Sequence, residues 1–163
     1  DAATQVAMLA HLAKASGSRG MAGGQATDLA ATGKTLELTE LEFMHIHKTG
    51  ALIQAAVLLG AMTAGALSVA ARSALERYAH CVWLSFQVMD DVLDAETDTA
   101  TLGKTAGKDA AQGKATYLTL MSAKEARTYA RELVEDALAA IAPFGAAGER
   151  LADIARFIIE RRY

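Results

Sequence analysis

The hydrophobic positions of this chain form long runs rich in Ala and Leu, separated by short polar breaks that contain glycine. Because β-branched residues do not alternate with polar ones, the pattern favours helices over strands. Thr39 precedes Glu42 by three residues, the spacing of a capping box at a helix start, and Ser122 precedes Glu125 in the same way. The single proline, Pro143, is typical of a helix end. Helices are therefore predicted over residues 2–16, 21–32, 39–64, 68–95, 115–121, 122–142 and 148–162, with a loop and one helical turn over 95–114.

Composition narrows the class of protein. The chain has 163 residues, 52% of them hydrophobic and only 6% aromatic, which predicts a single all-α domain over residues 1–163. Its net charge of −3 provides no basic surface for nucleic acid. Cys81 is the single cysteine, so no internal disulfide can form, which fits a reducing, cytoplasmic compartment. The most apolar run, residues 49–69, contains Gln54 and is mostly Ala, which favours a buried helix over stable membrane insertion.

An acidic cluster stands near the end of predicted helix 68–95. Asp90 and Asp94 are four residues apart and share a helix face, which Gln87 joins from three residues before Asp90. Like charges at this spacing destabilise a bare helix, so the pair requires a partner, and a hard divalent cation with oxygen ligands is one. A solvated acidic helix end is the alternative, and the cluster alone leaves both open.

Three lysines accompany this cluster. Lys48 lies inside an apolar helix, so its ammonium group must either extend to the surface or meet an anion. Lys104 lies among glycines in the segment 102–109, and Lys114 follows a glycine close to a predicted helix start. Glycine backbones and helix N-termini favour anions, while an ordinary solvated loop accounts equally well for the composition.

A pair of glycines interrupts the second predicted helix. Gly23 and Gly24 each cost roughly 1 kcal/mol relative to alanine inside a helix, and this is tolerated where another helix or a ligand comes close. Gln25 and Asp28 follow and share one face of the helix. A close helix contact with exposed polar side chains is the simpler interpretation, and a ligand-lining face is the alternative.

Taken in order, these motifs resemble the second half of the trans-isoprenyl diphosphate synthases, the family of bacterial farnesyl and geranylgeranyl diphosphate synthases. The resemblance extends over nearly the whole chain. It rests on residues 23–28 (GGQATD), 47–53 (HKTGALI), 86–94 (FQVMDDVLD), 101–104 (TLGK) and 113–117 (GKATY).

The resemblance implies an isoprenoid synthase helical bundle and a Mg²⁺-dependent prenyltransferase that works as a homodimer. Such an enzyme condenses isopentenyl diphosphate with an allylic diphosphate, dimethylallyl or geranyl, to farnesyl diphosphate or a similar short product. It implies that Asp90, Asp91 and Asp94 form the metal-binding set, in which Asp90 and Asp94 hold Mg²⁺ and Asp91 supports them, and that these three act with Lys48 in catalysis. The resemblance further implies that the allylic diphosphate is bound by Lys48, Thr49, Gln87, Lys104 and Lys114. Gln25 and Asp28 are implied to line the same cavity.

The family's first aspartate-rich motif has no counterpart in these residues, and the chain does not begin with Met. The chain is therefore expected to be the C-terminal half of the enzyme, to provide one wall of the site and not to catalyse alone. Residues 161–163 are assigned no role. The alternatives are a class I terpene synthase, a non-catalytic subunit of a heteromeric prenyl synthase, and a helical interaction domain without a ligand.

Overall fold

Helices dominate the structure, a computed structural model that describes residues 1–34, 36–102 and 116–161, without the side chains of residues 38 and 97–102. A π-helical turn lies at Ile46–Gly50, and 3₁₀ turns lie at Tyr117–Thr119 and Ala142–Gly148. No strand occurs in the described residues, and the predicted all-α class is confirmed. The α-helices in these ranges are α1 Ala2–Ser16, α2 Met21–Ala31, α3 Leu38–His45, α4 Ala51–Met62, α5 Val69–Leu102, α6 Ala123–Ile141 and α7 Glu149–Glu160.

Helix α5 is the centre of the core. It packs along α6 and also contacts α4, α7 and the π-helical turn. Trp83 and Tyr78 are its largest fully buried side chains, and burying an aromatic or aliphatic side chain of this kind contributes about 2 kcal/mol. Helix α6 packs against α5 through a stripe of buried residues at helical spacing, from Ala126 through Leu133 to Ile141. The acidic segment of α5 is therefore held on a rigid, well-packed helix.

Two glycines bring the N-terminal helices close to this core. A Cβ on Gly24 of α2 would collide with the backbone of His47 and Lys48 in the π-helical turn. A Cβ on Gly50 would lie 2.8 Å from the Trp83 ring of α5. The simpler interpretation of the α2 glycines, a close helix contact, is the one that the structure shows at Gly24.

Several predicted boundaries are wrong. Helix α3 begins at Leu38, because Glu37 and Glu40, rather than Thr39 and Glu42, form the reciprocal capping box. The helix predicted over 39–64 is interrupted by the π-helical turn and ends at Met62, while the one predicted over 115–121 is only the 3₁₀ turn 117–119 in its described part.

The loop predicted from residue 95 is also wrong in its first part. Helix α5 continues to Leu102, because no glycine or proline interrupts residues 68–102 and because Arg127 of α6 pairs with Glu96 at 2.6 Å. The rest of that predicted loop, residues 103–114, lies outside the described residues. The capping box of Ser122 and Glu125 is confirmed at the start of α6.

The apolar run 49–69 does not form one long helix, because α4 ends at Met62 and Gly65 follows with a φ of 118°. Among the helices that the structure describes, none combines the length and the hydropathy needed to span a bilayer.

Candidate functional site

The acidic segment of α5 divides its carboxylates between solvent and core. Asp94 is exposed and the Asp90 side chain is 44% exposed, whereas Asp91 is 8% exposed. Asp90 and Asp94 lie one helical turn apart and share a face, as the sequence predicts. The segment therefore offers two accessible carboxylates and one that is turned into the protein.

Asp90 is held by an arginine from the far end of the chain. Arg161 Nη2 donates to Asp90 Oδ1 at 3.1 Å and to the carbonyl oxygen of Phe86 at 3.2 Å. Its guanidinium group also lies 4.2 Å from the centroid of the Phe86 ring, a cation–π distance. The Arg161 side chain is only 11% exposed, so the arginine side of this ion pair is largely shielded from water. The sequence interpretation gave Arg161 no role.

Asp91 accepts hydrogen bonds inside the protein. The backbone N–H of Tyr117 donates to Asp91 Oδ2 at 2.8 Å, and Gln87 Nε2 donates to Asp91 Oδ1 at 3.3 Å. Gln87, which the sequence assigns to diphosphate binding, is half-buried and directed to its own helix in this arrangement. The buried carboxylate of the motif thus joins α5 to the 3₁₀ turn at Tyr117.

Tyr117 and His45 form a buried pair beside Asp91. Their rings stack with centroids 6.0 Å apart at an angle of 20°, Tyr117 is fully buried, and His45 is 8% exposed. Burial, and next the charge of Lys48, lower the pKa of His45 to about 4, against a smaller opposite effect of Asp28. Burial, followed by the charges of nearby acidic groups, raises the pKa of Tyr117. Both rings are therefore neutral at physiological pH.

The ammonium group of Lys48 meets an anion, which is one of the two alternatives that its position in an apolar helix leaves open. Its Nζ lies 2.6 Å from Asp28 Oδ2, with side chains 35% and 23% exposed. The Gly24 contact brings α2 close enough to the π-helical turn for this pair to form. Thr49 is half-buried on the same turn, and Gln25 is exposed on α2. Lys104 and Lys114 lie outside the described residues.

The donor set suits a hard cation shared with a phosphate ligand. Mg²⁺ is bound in proteins by one or two carboxylates together with substrate phosphates, and Asp90 and Asp94 provide two carboxylates on one accessible face. In the ranges that the structure describes, no group of three or more His, Cys, Asp or Glu side chains forms a metal-binding cluster. The residues present fit a cation that takes its remaining ligands from elsewhere.

The chain is similar to proteins of a known family. The model of the polyprenyl synthetase family matches residues 3–145. Farnesyl diphosphate synthase of Escherichia coli is 52% identical over 133 residues, which are 82% of this chain and 44% of that protein.

Solved structures agree with this match. An apo FPP/GFPP synthase from Zymomonas mobilis superposes with a TM-score of 0.84 at 36% identity, over 97% of this chain and 52% of the other. Geranyltransferase from Helicobacter pylori, crystallised with magnesium and isoprenyl diphosphate, superposes with a TM-score of 0.78 at 28% identity, over 98% of this chain and 52% of the other. The predicted isoprenoid synthase fold is thereby confirmed.

The chain spans about half the length of these relatives. The family model nevertheless covers most of the chain, and almost the whole length of this chain superposes on part of the solved structure. On these grounds the chain belongs to the polyprenyl synthetase family, the trans-isoprenyl diphosphate synthases.

Proposed function

We propose that this chain forms the part of a prenyltransferase site that carries the second aspartate-rich motif. The reaction is the condensation of isopentenyl diphosphate with dimethylallyl or geranyl diphosphate, to farnesyl diphosphate or a product of similar length. The observation that carries the proposal is the exposed face of α5, where Asp90 and Asp94 stand one turn apart on a buried helix. Family membership and the Escherichia coli relative support it.

Asp90 and Asp94 would hold Mg²⁺, with Asp91 supporting them from inside the helix. When bound, the cation supplies electrostatic stabilisation of the departing diphosphate, an effect that can amount to several kcal/mol. The carboxylates need accessible oxygens for this task, and the 44% exposed side chain of Asp90 provides them. Arg161 Nη2 lies 3.1 Å from Asp90 Oδ1, so the cation must share this carboxylate with the arginine or displace it.

Lys48 and Thr49 would bind the allylic diphosphate from the π-helical turn, with Gln87 on α5 and with Gln25 and Asp28 lining the cavity. The Nζ of Lys48 is already paired with Asp28 at 2.6 Å, so a diphosphate must share or displace that carboxylate. A diphosphate, which carries several negative oxygens, is a stronger partner for an ammonium group than one carboxylate. Lys104 and Lys114 remain predicted diphosphate ligands that lie outside the described residues.

A chimera tests this function. The 52% identity to the Escherichia coli enzyme allows the N-terminal half of that protein to be joined to this chain. The chimera is incubated with Mg²⁺, isopentenyl diphosphate and either allylic diphosphate, and products are separated by chain length. We expect a prenyl diphosphate longer than the allylic substrate. A folded chimera that elongates neither substrate contradicts the proposal.

A homodimer is part of the same proposal. Val6 and Leu9 lie three residues apart on α1 and are 65% and 67% exposed, so they share an uncovered apolar face. Phe43 of α3 and Leu29 of α2 are also more than half exposed. Apolar surface of this kind is unfavourable in water until another surface covers it. Sedimentation of the chimera is expected to give twice the mass of one copy, and the mass of a single copy would contradict the dimer.

A further inference from the structure

We infer that Asp91 is a positioning residue, which fixes the orientation of α5 through the Tyr117 backbone, and that it does not ligate the metal. The inference rests on the proposed function, because it assigns different roles to the carboxylates of the proposed metal site. It departs from the expectation, implied by the family resemblance, that Asp91 belongs to the metal-binding set.

The first argument is the burial of Asp91. Asp91 is buried, with 8% of the whole residue exposed, whereas Asp90 is only half-buried. Because a hydrated cation retains several waters, a carboxylate without access to solvent is a poor ligand for Mg²⁺. A buried carboxylate is stable only where hydrogen-bond donors surround it. Asp91 therefore needs the donors that it has, and ligation would require it to leave them.

The second argument is the identity of those donors. Asp91 uses both carboxylate oxygens within the protein, Oδ2 for the Tyr117 N–H and Oδ1 for Gln87 Nε2. The bond to Tyr117 is short, at 2.8 Å, and joins residues 26 positions apart in the sequence. Hydrogen bonds between a charged acceptor and a backbone donor are among the stronger ones in proteins. The carboxylate is thus committed to joining two elements.

The third argument is that Tyr117 is itself immobilised. Its side chain is fully buried and stacks on His45 at the end of α3, while its backbone begins the 3₁₀ turn. Because the Tyr117 N–H is fixed in this way, its hydrogen bond to Asp91 can hold α5 in one orientation. The contacts connect α3, the 3₁₀ turn and α5, three elements that are distant in the sequence.

Helix geometry converts this anchor into a function. Successive residues are about 100° apart around a helix, so Asp90 and Asp94 lie about 40° from each other and on the same side of Asp91. Holding Asp91 inward therefore sets the direction in which both accessible carboxylates point. A rotation of α5 by even a fraction of a turn would separate them from a cation of fixed geometry.

The test compares Asp91→Asn, Asp91→Ala and Asp90→Asn. Asparagine keeps an acceptor for the Tyr117 N–H, and the Gln87 amide can turn to pair with its NH₂ group. Alanine removes both acceptors. The rate of amide hydrogen exchange at Tyr117 in the purified chain measures whether Asp91 holds that backbone N–H. The Mg²⁺ concentration that half-saturates the chimera measures whether a carboxylate ligates the metal.

We expect Asp91→Ala to speed hydrogen exchange at the Tyr117 amide about tenfold or more, because a hydrogen bond to a charged group is lost. Asp91→Asn should keep most of the protection of that amide, because asparagine retains an acceptor. In the chimera, Asp90→Asn should raise the half-saturating Mg²⁺ concentration about tenfold or more, and Asp91→Asn should leave it near that of the unsubstituted protein.

Two results would overturn the inference. One is unchanged exchange at Tyr117 in Asp91→Ala, since the carboxylate would then not hold that backbone. The other is an equal rise in the Mg²⁺ requirement for Asp91→Asn and Asp90→Asn, since Asp91 would then be a ligand. A chimera that shows no turnover even without substitution contradicts the proposed function and removes the metal part of the inference, while hydrogen exchange still decides whether Asp91 is the anchor.

Discussion

Burial sets the charge of His45. Neither ring nitrogen has a hydrogen-bond partner in the described part of the chain, and the ring is packed against Tyr117. Burial and the nearby Lys48 charge lower the pKa of His45 from 6.5 to about 4. The folded protein therefore keeps this imidazole neutral at a pH where the unfolded chain protonates it.

The sign of the resulting pH dependence follows from linkage. Between pH 6.5 and about 4 the unfolded chain binds the proton and the folded chain does not, so stability falls as the pH falls through this window. The full effect is about 3 kcal/mol. We expect His45→Leu to be at least as stable as the original chain at pH 7, and to lose less stability between pH 7 and pH 5, as measured by urea denaturation.

The surface residue His80 supplies a matched control for this experiment. His80→Leu removes an imidazole of the same kind at an exposed position of α5, so changes common to both variants do not come from burial. An unchanged pH dependence in His45→Leu would contradict the role assigned to this histidine.

The Lys48–Asp28 pair makes a second prediction at the scale of single residues. Because the 2.6 Å contact holds the ammonium group beside a carboxylate, Asp28→Asn should free Lys48 and strengthen binding of Mg²⁺-pyrophosphate to the chimera a few-fold. Lys48→Ala should weaken it. Isothermal titration measures both. Glu76→Gln, which breaks the comparable but more exposed pair with Arg72, is the control.

Either of two outcomes would contradict the assignment. Unchanged pyrophosphate affinity in Lys48→Ala would remove Lys48 from the diphosphate site. Weaker binding in Asp28→Asn would mean that Asp28 supports the site instead of competing for the lysine.

The contact between α2 and the π-helical turn belongs to the scale of elements. Gly24 leaves no room for a Cβ against the backbone of Lys48, and backbone cannot move aside as a flexible side chain can. Gly24→Ala should therefore separate the two elements and lower the free energy of unfolding by about 2 kcal/mol. Thermal or urea unfolding measures the change.

Gly60 is the matched control for that substitution. It lies in α4, with nothing within 4 Å of the position that a Cβ would take. Gly60→Ala should raise stability by up to about 1 kcal/mol, because alanine favours the helix. Equal effects at the two positions would show that helix propensity, rather than the close approach at Gly24, decides the outcome.

The elements also show where sequence reasoning succeeds. The capping box at Ser122 and the end of α6 before Pro143 depend on residues within a few positions of each other, and both were predictable. The shared face of Asp90 and Asp94 depends only on helical spacing. The longer extent of α5 differs from the prediction because the polar residues after position 95 resemble a loop, although no glycine or proline occurs between residue 95 and Gly103.

Contacts between distant residues mark the limit of that reasoning. Asp91 meets Tyr117 across 26 positions, and Asp90 meets Arg161 across 71. Neither spacing has a local signature, because both depend on how α5 packs against other elements. The burial of Asp91 could likewise not be separated from the exposure of Asp90 when only the sequence DDxxD was known.

At the scale of the whole molecule, the proposed function gives this chain one part of a diphosphate site. The carboxylates of α5 and the lysine of the π-helical turn stand on a well-packed helical frame, and the chain spans about half the length of its relatives. The exposed apolar side chains of α1 and α3 add surface that favours further contacts.

Product analysis of the chimera, with and without substitution of Asp90, is the most direct test of the central claim. The matched control is Asp136→Asn, which removes an exposed carboxylate paired with Arg77 at 3.3 Å. We predict that the chimera and Asp136→Asn elongate the allylic diphosphate, and that Asp90→Asn does so several-fold more slowly at a Mg²⁺ concentration that half-saturates the chimera, because a proposed Mg²⁺ ligand is gone. Elongation by Asp90→Asn at the rate of the chimera would contradict the claim, as would a hydrocarbon formed from farnesyl diphosphate alone, which is the product of a terpene synthase.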